Sequence, residues 1–265
     1  MRVPSRIKKC VVFLACRKHN GTLVNVGSAF FLQSRDKKGC YLVTAKHVIE
    51  GVRGKLLLEE VSIRANSKDG HAILIDTKTS EWRYHPEDAS VDVAVLPMMP
   101  FPEMDHLVIS TDTCITDEQM RQYEVDVGDE VFVVGLFHHH AGERRNIPVI
   151  RVGNIAALAE EKVKTDLGLM EAHLIEARSI GGLSGSPVFL NLGVVRYFGG
   201  QMRNAKKDLH HSLFGLIHGH FDENFIAADA EDAFGVSPSR VNTGIAIVAP
   251  MEKIFETIEA LTPAA

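Results

Sequence analysis

The chain has 265 residues, of which 45% are hydrophobic and 24% are charged, and its formal net charge is −5 at pH 7. A chain of this length and composition forms one large or two small globular domains. The negative net charge argues against nucleic acid as the main partner. No apolar run reaches the roughly 18 residues that a membrane-spanning helix needs, so no membrane association is expected.

The first hundred residues predict successive β-strands separated by turns. The apolar segment Cys10–Cys16 follows a basic start and superficially resembles a signal peptide, but Arg17 and Lys18 end it at once. We interpret it as a strand. Further strands are predicted as far as Val91–Leu96, with no helical periodicity of usable length between them. This spacing favours an antiparallel barrel or sandwich.

A change of composition follows these strands. Three prolines between residues 97 and 102 break the strand pattern, and Thr116 begins a stretch of short-helix character. Strand signals resume at Asp129–Phe137, and the chain ends in an amphipathic helix after Pro250. The sequence therefore predicts two all-β halves followed by one helix.

The cysteines indicate neither a disulfide framework nor a metal site. Four cysteines occur, and none has zinc-site spacing with a histidine: Cys10, Cys16, Cys40 and Cys114. Their strand-like contexts favour buried, reduced side chains. Such usage is typical of a reducing compartment, so a cytoplasmic location is expected.

The first candidate for chemistry is Ser184 in the stretch Gly181–Phe189. Small, flexible residues and then Pro187 predict a sharp turn that presents the serine before a strand. The backbone N–H groups of Gly182 and Ser184 could point together at a developing oxyanion. An ordinary Gly-Ser turn is the alternative.

A serine nucleophile needs a base and a group that orients the base. His47 follows a strand end, and Asp92 lies in an otherwise apolar strand, where an unpaired carboxylate would be costly. Taken singly, His47 could be a capped loop histidine and Asp92 could bind backbone amides.

Three motifs together resemble those of a known family. Thr44-Ala45-Lys46-His47, Asp92-Val93-Ala94-Val95-Leu96 and Gly182-Leu183-Ser184-Gly185-Ser186-Pro187 occur in the order His, Asp, Ser. The chain resembles a trypsin-like serine peptidase of the chymotrypsin fold in the PA clan. It is most similar to bacterial HtrA-like and glutamyl-endopeptidase-like members without a PDZ domain.

That resemblance implies an all-β fold of two antiparallel six-stranded barrels with a C-terminal helix. The first barrel, residues 1–105, would carry His47 and Asp92. A connection, 106–126, would lead to the second barrel with Ser184 and the helix, 127–265. The implied roles are Ser184 as nucleophile, His47 as general base and then acid, and Asp92 as the group that fixes the histidine tautomer. The implied substrate is a polypeptide, with no metal or organic cofactor.

Two departures from the family pattern are informative. Leu183 stands where digestive members carry an aspartate that pairs with a newly cleaved N-terminus, and Val48 stands where secreted members carry a cysteine. Both departures favour an intracellular, bacterial enzyme that is not activated by such an ion pair.

The same resemblance implies a primary substrate pocket, formed by Arg178, His218, Gly219, His220 and Gly244. Arg178 with its neighbouring histidines could recognise an acidic side chain, because guanidinium binds carboxylate bidentately. A preference for small or hydrophobic side chains is the alternative.

Two charged segments each allow a purely structural and a functional interpretation. His138–His140 is either a solvated loop or a metal tract. The acidic loop 221–239 is either solvated surface or a lid that docks a regulatory protein partner. The rival functions for the whole chain are a catalytically silent binding module and an esterase that uses the same acyl chemistry.

Overall fold

The computed structural model describes residues 2–165, 168–177, 182–225 and 239–261. The α-helices of these ranges are α1 (Lys46–Glu50), α2 (Asp117–Gln122) and α3 (Met251–Glu259). The strands of the first half are β1 (Val11–Arg17), β2 (Leu23–Gln33), β3 (Cys40–Thr44), β4 (Glu60–Asn66), β5 (Ala72–Lys78), β6 (Arg83–Tyr84) and β7 (Ala94–Pro97). Those of the second half are β8 (Glu130–Gly135), β9 (Val149–Ala157), β10 (Lys162–Thr165), β11 (Gly168–Glu171), β12 (His173–Glu176), β13 (Pro187–Asn191), β14 (Val195–Phe198), β15 (Gln201–Asn204), β16 (His211–Phe225) and β17 (Ser239–Pro250).

The first half is one curled antiparallel sheet. Its seven strands lie in the order β5-β4-β1-β2-β3-β7-β6. Strand β1 is buried along nearly its whole length because it lies inside the curl, whereas β5 at the edge is half exposed. The two edge strands do not pair with each other, so this sheet is a half-barrel.

The second half is a closed barrel in the order β12-β17-β16-β13-β8-β9. Two hairpins, β10-β11 and β14-β15, stand outside it as separate two-stranded sheets. Closure removes the unpaired edges that an open sheet leaves.

Helix α3 packs its apolar face on the protein core. Met251, Ile254, Phe255 and Ile258 recur at helical spacing and are all buried. This is the amphipathic pattern expected from the sequence. Helix α2 begins at a capping box in which Thr116 and Gln119 bond reciprocally to each other's backbone N–H groups.

The predicted all-β class with a C-terminal helix is confirmed. The difference lies in the first half, where seven strands form an unclosed sheet, because the two-residue strand β6 pairs only with β7. All strands of that sheet lie within residues 11–97, and the barrel strands lie within 130–250. The exact boundaries 105 and 126 stay predictions.

The structure also describes the four cysteines and the length and apolar character of the helices. All four cysteines are buried and unpaired. No helix in the described part of the chain combines the length and the apolar character that crossing a membrane requires.

The barrel contains a buried histidine, His173, at the start of β12. Its ring stacks on Phe214 with 4.3 Å between the ring centroids, and its Nδ1 accepts a hydrogen bond from the N–H of Ala159. Burial lowers the pKa of His173 to about 4 from its ordinary 6.5, so the ring is neutral when the protein is folded near neutral pH.

Acid should therefore destabilise the fold through His173. Because the unfolded chain takes up the proton first, we expect about 3 kcal/mol of stability to be lost as the pH falls from 6.5 to 4. The measurement is urea unfolding of the natural chain and of His173→Gln across this range. The variant should show a smaller loss, whereas His71→Gln, at an exposed histidine, should match the natural chain. Equal pH slopes for natural chain and His173→Gln would contradict the assignment.

Candidate active site

His47 lies where the first sheet passes into a short helix. Strand β3 ends at Thr44, whose hydroxyl donates a 2.7 Å hydrogen bond to the carbonyl oxygen of Ser28. Ala45 is extended, and α1 begins at the next residue. The sequence predicted a turn at this point, and the structure has a helix whose first turn carries His47.

Asp92 lies two residues before β7, in a segment without regular hydrogen bonding. It is 2% exposed and accepts three hydrogen bonds. His47 donates from its backbone N–H to Oδ1 and from Nδ1 to Oδ2, both at 2.8 Å. His218 donates from Nδ1 to Oδ2 at 2.5 Å. The sequence placed Asp92 within a strand, and the irregular backbone explains how its carboxylate reaches both histidines.

The charge of Asp92 is stabilised although it is buried. Burial alone would raise the pKa of this carboxyl, but the hydrogen bonds from His218 and His47 lower it to about 2. A carboxylate only accepts hydrogen bonds, so both Nδ1 atoms carry hydrogens. With the Nδ1 hydrogen bound to the carboxylate, Nε2 is the ring atom of His47 that can act as a proton acceptor, as a general base requires.

His218 contacts Asp92 from the closed barrel of the second half. It lies in β16 at a register shift, because Ile217 pairs with Val248 and Gly219 already pairs with Ile247. An extra residue of this kind is a β-bulge, which re-aims its side chain. The ring lies 5.2 Å from that of His47, edge to face. The sequence placed His218 on a pocket wall, and the structure directs its imidazole to the carboxylate instead.

Ser184 sits on a tight loop between the two halves. Gly182 has φ +100° and Gly185 has φ +78°, which L side chains rarely adopt. A Cβ at Gly185 would also lie 2.2 Å from both the Ser28 carbonyl oxygen and the Thr44 hydroxyl. Between them Leu183 is 1% exposed and packs in the core of the second barrel. The loop is therefore held by an apolar anchor at Leu183.

Ser28 fastens this loop to the first sheet. It is fully buried, its backbone N–H donates to the carbonyl oxygen of Ser184 at 2.9 Å, and its hydroxyl donates to that of Gly182 at 3.0 Å. The same hydroxyl accepts the N–H of Leu136 at 2.9 Å. Local sequence gives no signal for this clamp, because its partners Gly182 and Leu136 lie 154 and 108 positions further along the chain.

The hydroxyl of Ser184 donates to the backbone carbonyl of His218 at 3.2 Å. Among the described residues, no hydrogen bond joins it to His47. Within the same ranges, the backbone N–H groups of Gly182 and Ser184 also donate to no protein acceptor. The oxyanion role of Gly182 and Ser184 stays a prediction.

The other predicted site residues are only partly described. Gly219 and His220 lie in β16 opposite Ile247 and Ala246 of β17, and Gly244 has φ +86°. Arg178 lies outside the described residues, as does most of the acidic loop 221–239. His138–His140 form one exposed 3-10 turn after β8.

One group of described side chains has the composition of a metal site. The ligand atoms of His47, Asp92 and His218 lie within 4.8 Å of one another, and zinc accepts such nitrogen and oxygen ligands. Both Nδ1 atoms, however, donate to the carboxylate here, so an ion would have to displace two hydrogens.

Removing the Ser28 hydroxyl should loosen the Ser184 loop. Ser28→Ala leaves the N–H of Leu136 and the carbonyl of Gly182 without a buried partner, so we expect a loss of about 3 kcal/mol in unfolding free energy. Amide hydrogen exchange over residues 182–186 should also become faster.

The matched control for that substitution is Ser62→Ala. Ser62 is a buried serine of the same sheet that binds Asp76 at 2.6 Å, away from the loop. Because water can reach the partly exposed Asp76, we expect a loss within about 1 kcal/mol and unchanged exchange at 182–186. Equal exchange in both variants would show that Ser28 does not hold the loop.

Comparison with known proteins identifies a family and solved structures of similar fold. A family model described as a trypsin-like peptidase domain matches residues 27–196, more than half of the chain. The protease domain of MamO from Magnetospirillum magneticum, in its apo form, has a similar structure. The TM-score is 0.56 at 15% sequence identity, over 97% of this chain and 98% of that one. At this identity the similarity concerns the fold alone. No curated protein matches the chain.

Proposed function

Because the chain belongs to the trypsin-like peptidase domain family and has its chymotrypsin-like fold, we propose that it is a serine endopeptidase. It would hydrolyse peptide bonds through an acyl-enzyme intermediate. The observation that carries this proposal is the bonding of His47 to a buried, ionised Asp92, beside the loop that presents Ser184. The HtrA-like subtype stays a prediction.

In the proposed reaction Ser184 is the nucleophile. Its hydroxyl first leaves the carbonyl of His218 by rotation about χ1 and turns to Nε2 of His47. As Oγ bonds to the scissile carbonyl carbon, its proton passes to Nε2. His47 then gives this proton to the leaving amine as the C–N bond breaks. In the second half it takes a proton from the water that attacks the acyl-enzyme, and it returns this proton to Oγ of Ser184 as the acyl C–O bond breaks.

Asp92 and the backbone supply the electrostatic part of the proposal. The buried carboxylate holds the hydrogen of His47 on Nδ1 and stabilises the imidazolium that forms when Nε2 is protonated. The unpaired N–H groups of Gly182 and Ser184 would bind the oxyanion of the tetrahedral intermediate. All of these groups belong to the polypeptide, and the substrate would be a polypeptide.

A fluorophosphonate probe tests the nucleophile directly. It should label the natural chain covalently at Ser184, and Ser184→Ala should abolish both labelling and hydrolysis of a protein substrate. Ser186→Ala is the control, because Ser186 is a buried serine of the same loop and should leave the labelled residue unchanged. Labelling that persists in Ser184→Ala would place the nucleophile elsewhere.

A second candidate function is a latent or catalytically silent binding module on the same fold. The observation that favours it is the bond from the Ser184 hydroxyl to His218 rather than to His47. In that case the natural chain would not react with the probe although it is folded. If the natural chain does react with the probe, a comparison of its turnover of peptide substrates with its turnover of simple ester substrates separates a peptidase from an esterase.

For the side chain before the scissile bond, we propose that Arg178 selects acidic residues. The support is its position in sequence before Ser184 and the preference of guanidinium for carboxylate. A fluorogenic peptide library should show cleavage after Glu and Asp, and Arg178→Ala should reduce kcat/KM for those substrates about 100-fold, as for loss of a charged contact of about 3 kcal/mol. Cleavage after small or hydrophobic residues, unchanged in Arg178→Ala, would support the alternative pocket.

A further inference from the structure

The first turn after β8 places an imidazole against the Ser184 loop. A Cβ built on Gly182 would lie 3.0 Å from Nε2 and 3.1 Å from Cδ2 of His138. His138 therefore packs over the residue whose backbone N–H is one of the two free donors beside Ser184. From the sequence alone, His138 belongs to a segment that is either a solvated loop or a metal tract.

The segment that carries His138 is fixed at both ends. On one side the N–H of Leu136 is bound by the Ser28 hydroxyl, which also binds the carbonyl of Gly182. On the other side Arg64 of β4 anchors the chain that follows. The position of His138 relative to Gly182 thus depends on the clamp that also holds the Ser184 loop.

The Arg64 anchor is built without a carboxylate. Its buried guanidinium donates to the carbonyl oxygens of Gly142 and Glu143 and to the side-chain oxygen of Asn146. Asn66 of the same strand exchanges two further hydrogen bonds with the backbone of Asn146. Together these five hydrogen bonds hold residues 142–146 on the first sheet.

The surroundings of His138 favour an uncharged imidazole, which can still donate a hydrogen bond. Partial burial, and then the neighbouring His139, lower the pKa of His138 below its ordinary value. Near neutral pH the ring is therefore uncharged, and it offers one N–H. With the hydrogen on Nε2, that donor lies at the face of Gly182.

We propose that His138 is a catalytic residue that donates its Nε2–H to the oxyanion, next to the backbone N–H groups of Gly182 and Ser184. This assignment rests on the proposed peptidase function. It makes the oxyanion site a set of three neutral donors, of which the side-chain donor comes from the loop between β8 and β9. Donors aimed at the developing charge act on the transition state and not on substrate binding.

The test compares His138→Ala and His138→Gln with the natural chain. Removing one oxyanion donor costs roughly 100-fold or more in kcat in a closed site, and for this solvent-facing ring we expect a loss of about tenfold with KM nearly unchanged. A peptide aldehyde, whose hemiacetal carries the same oxygen, should bind about tenfold more weakly to His138→Ala. His138→Gln keeps an N–H donor and should recover part of both losses.

The control variant is His139→Ala. His139 is the next residue, is exposed, and packs on the ring of Phe137, so its removal should leave kcat and aldehyde affinity unchanged. The proposal is overturned if His138→Ala behaves like His139→Ala, or if His138→Gln is as impaired as His138→Ala. It is also overturned if His138→Ala changes only KM or only the preference for substrate residues on the leaving-group side of the scissile bond. Fluorophosphonate labelling of Ser184 in the natural chain separates these results from failure of the peptidase function itself.

Discussion

The arrangement of the site depends on one buried negative charge, the carboxylate of Asp92. An ionised group at 2% exposure is tolerable only when it is well bonded. Three N–H groups meet that need, and they come from both halves of the molecule: two from His47 in α1 and one from His218 on the barrel. The carboxylate therefore orients the imidazole of His47 and also joins the two halves at the site. Loss of either histidine would leave part of the buried charge uncompensated.

The loop of Ser184 is held by a different kind of force. Leu183 is buried in the barrel core, and the hydroxyl and N–H of Ser28 bind the carbonyls on either side of it. Neither contact involves a charge, so these two contacts do not depend on the ionisation of a side chain. Apolar burial and backbone hydrogen bonds respond weakly to salt, in contrast to an exposed ion pair.

Local sequence could predict the features that short segments encode. The strand pattern, the terminal helix and the motifs around His47, Asp92 and Ser184 are of this kind, because each depends on residue types within a few positions. The contact of His218 with Asp92 depends on a β-bulge in a strand paired far along the chain. The clamp of Ser28 and the packing of His138 on Gly182 depend on how the two halves meet, which no local pattern records.

The clamp at Ser28 also constrains when the site can form during synthesis. Ser28 and Gly182 are 154 positions apart, and Asp92 and His218 are 126 apart. The first sheet can leave the ribosome with His47 already next to Asp92, but the loop of Ser184 and the bulge of His218 emerge later. The closing strand β17 comes later still. The site of a nascent chain is consequently assembled only after β16, which carries His218, has been translated.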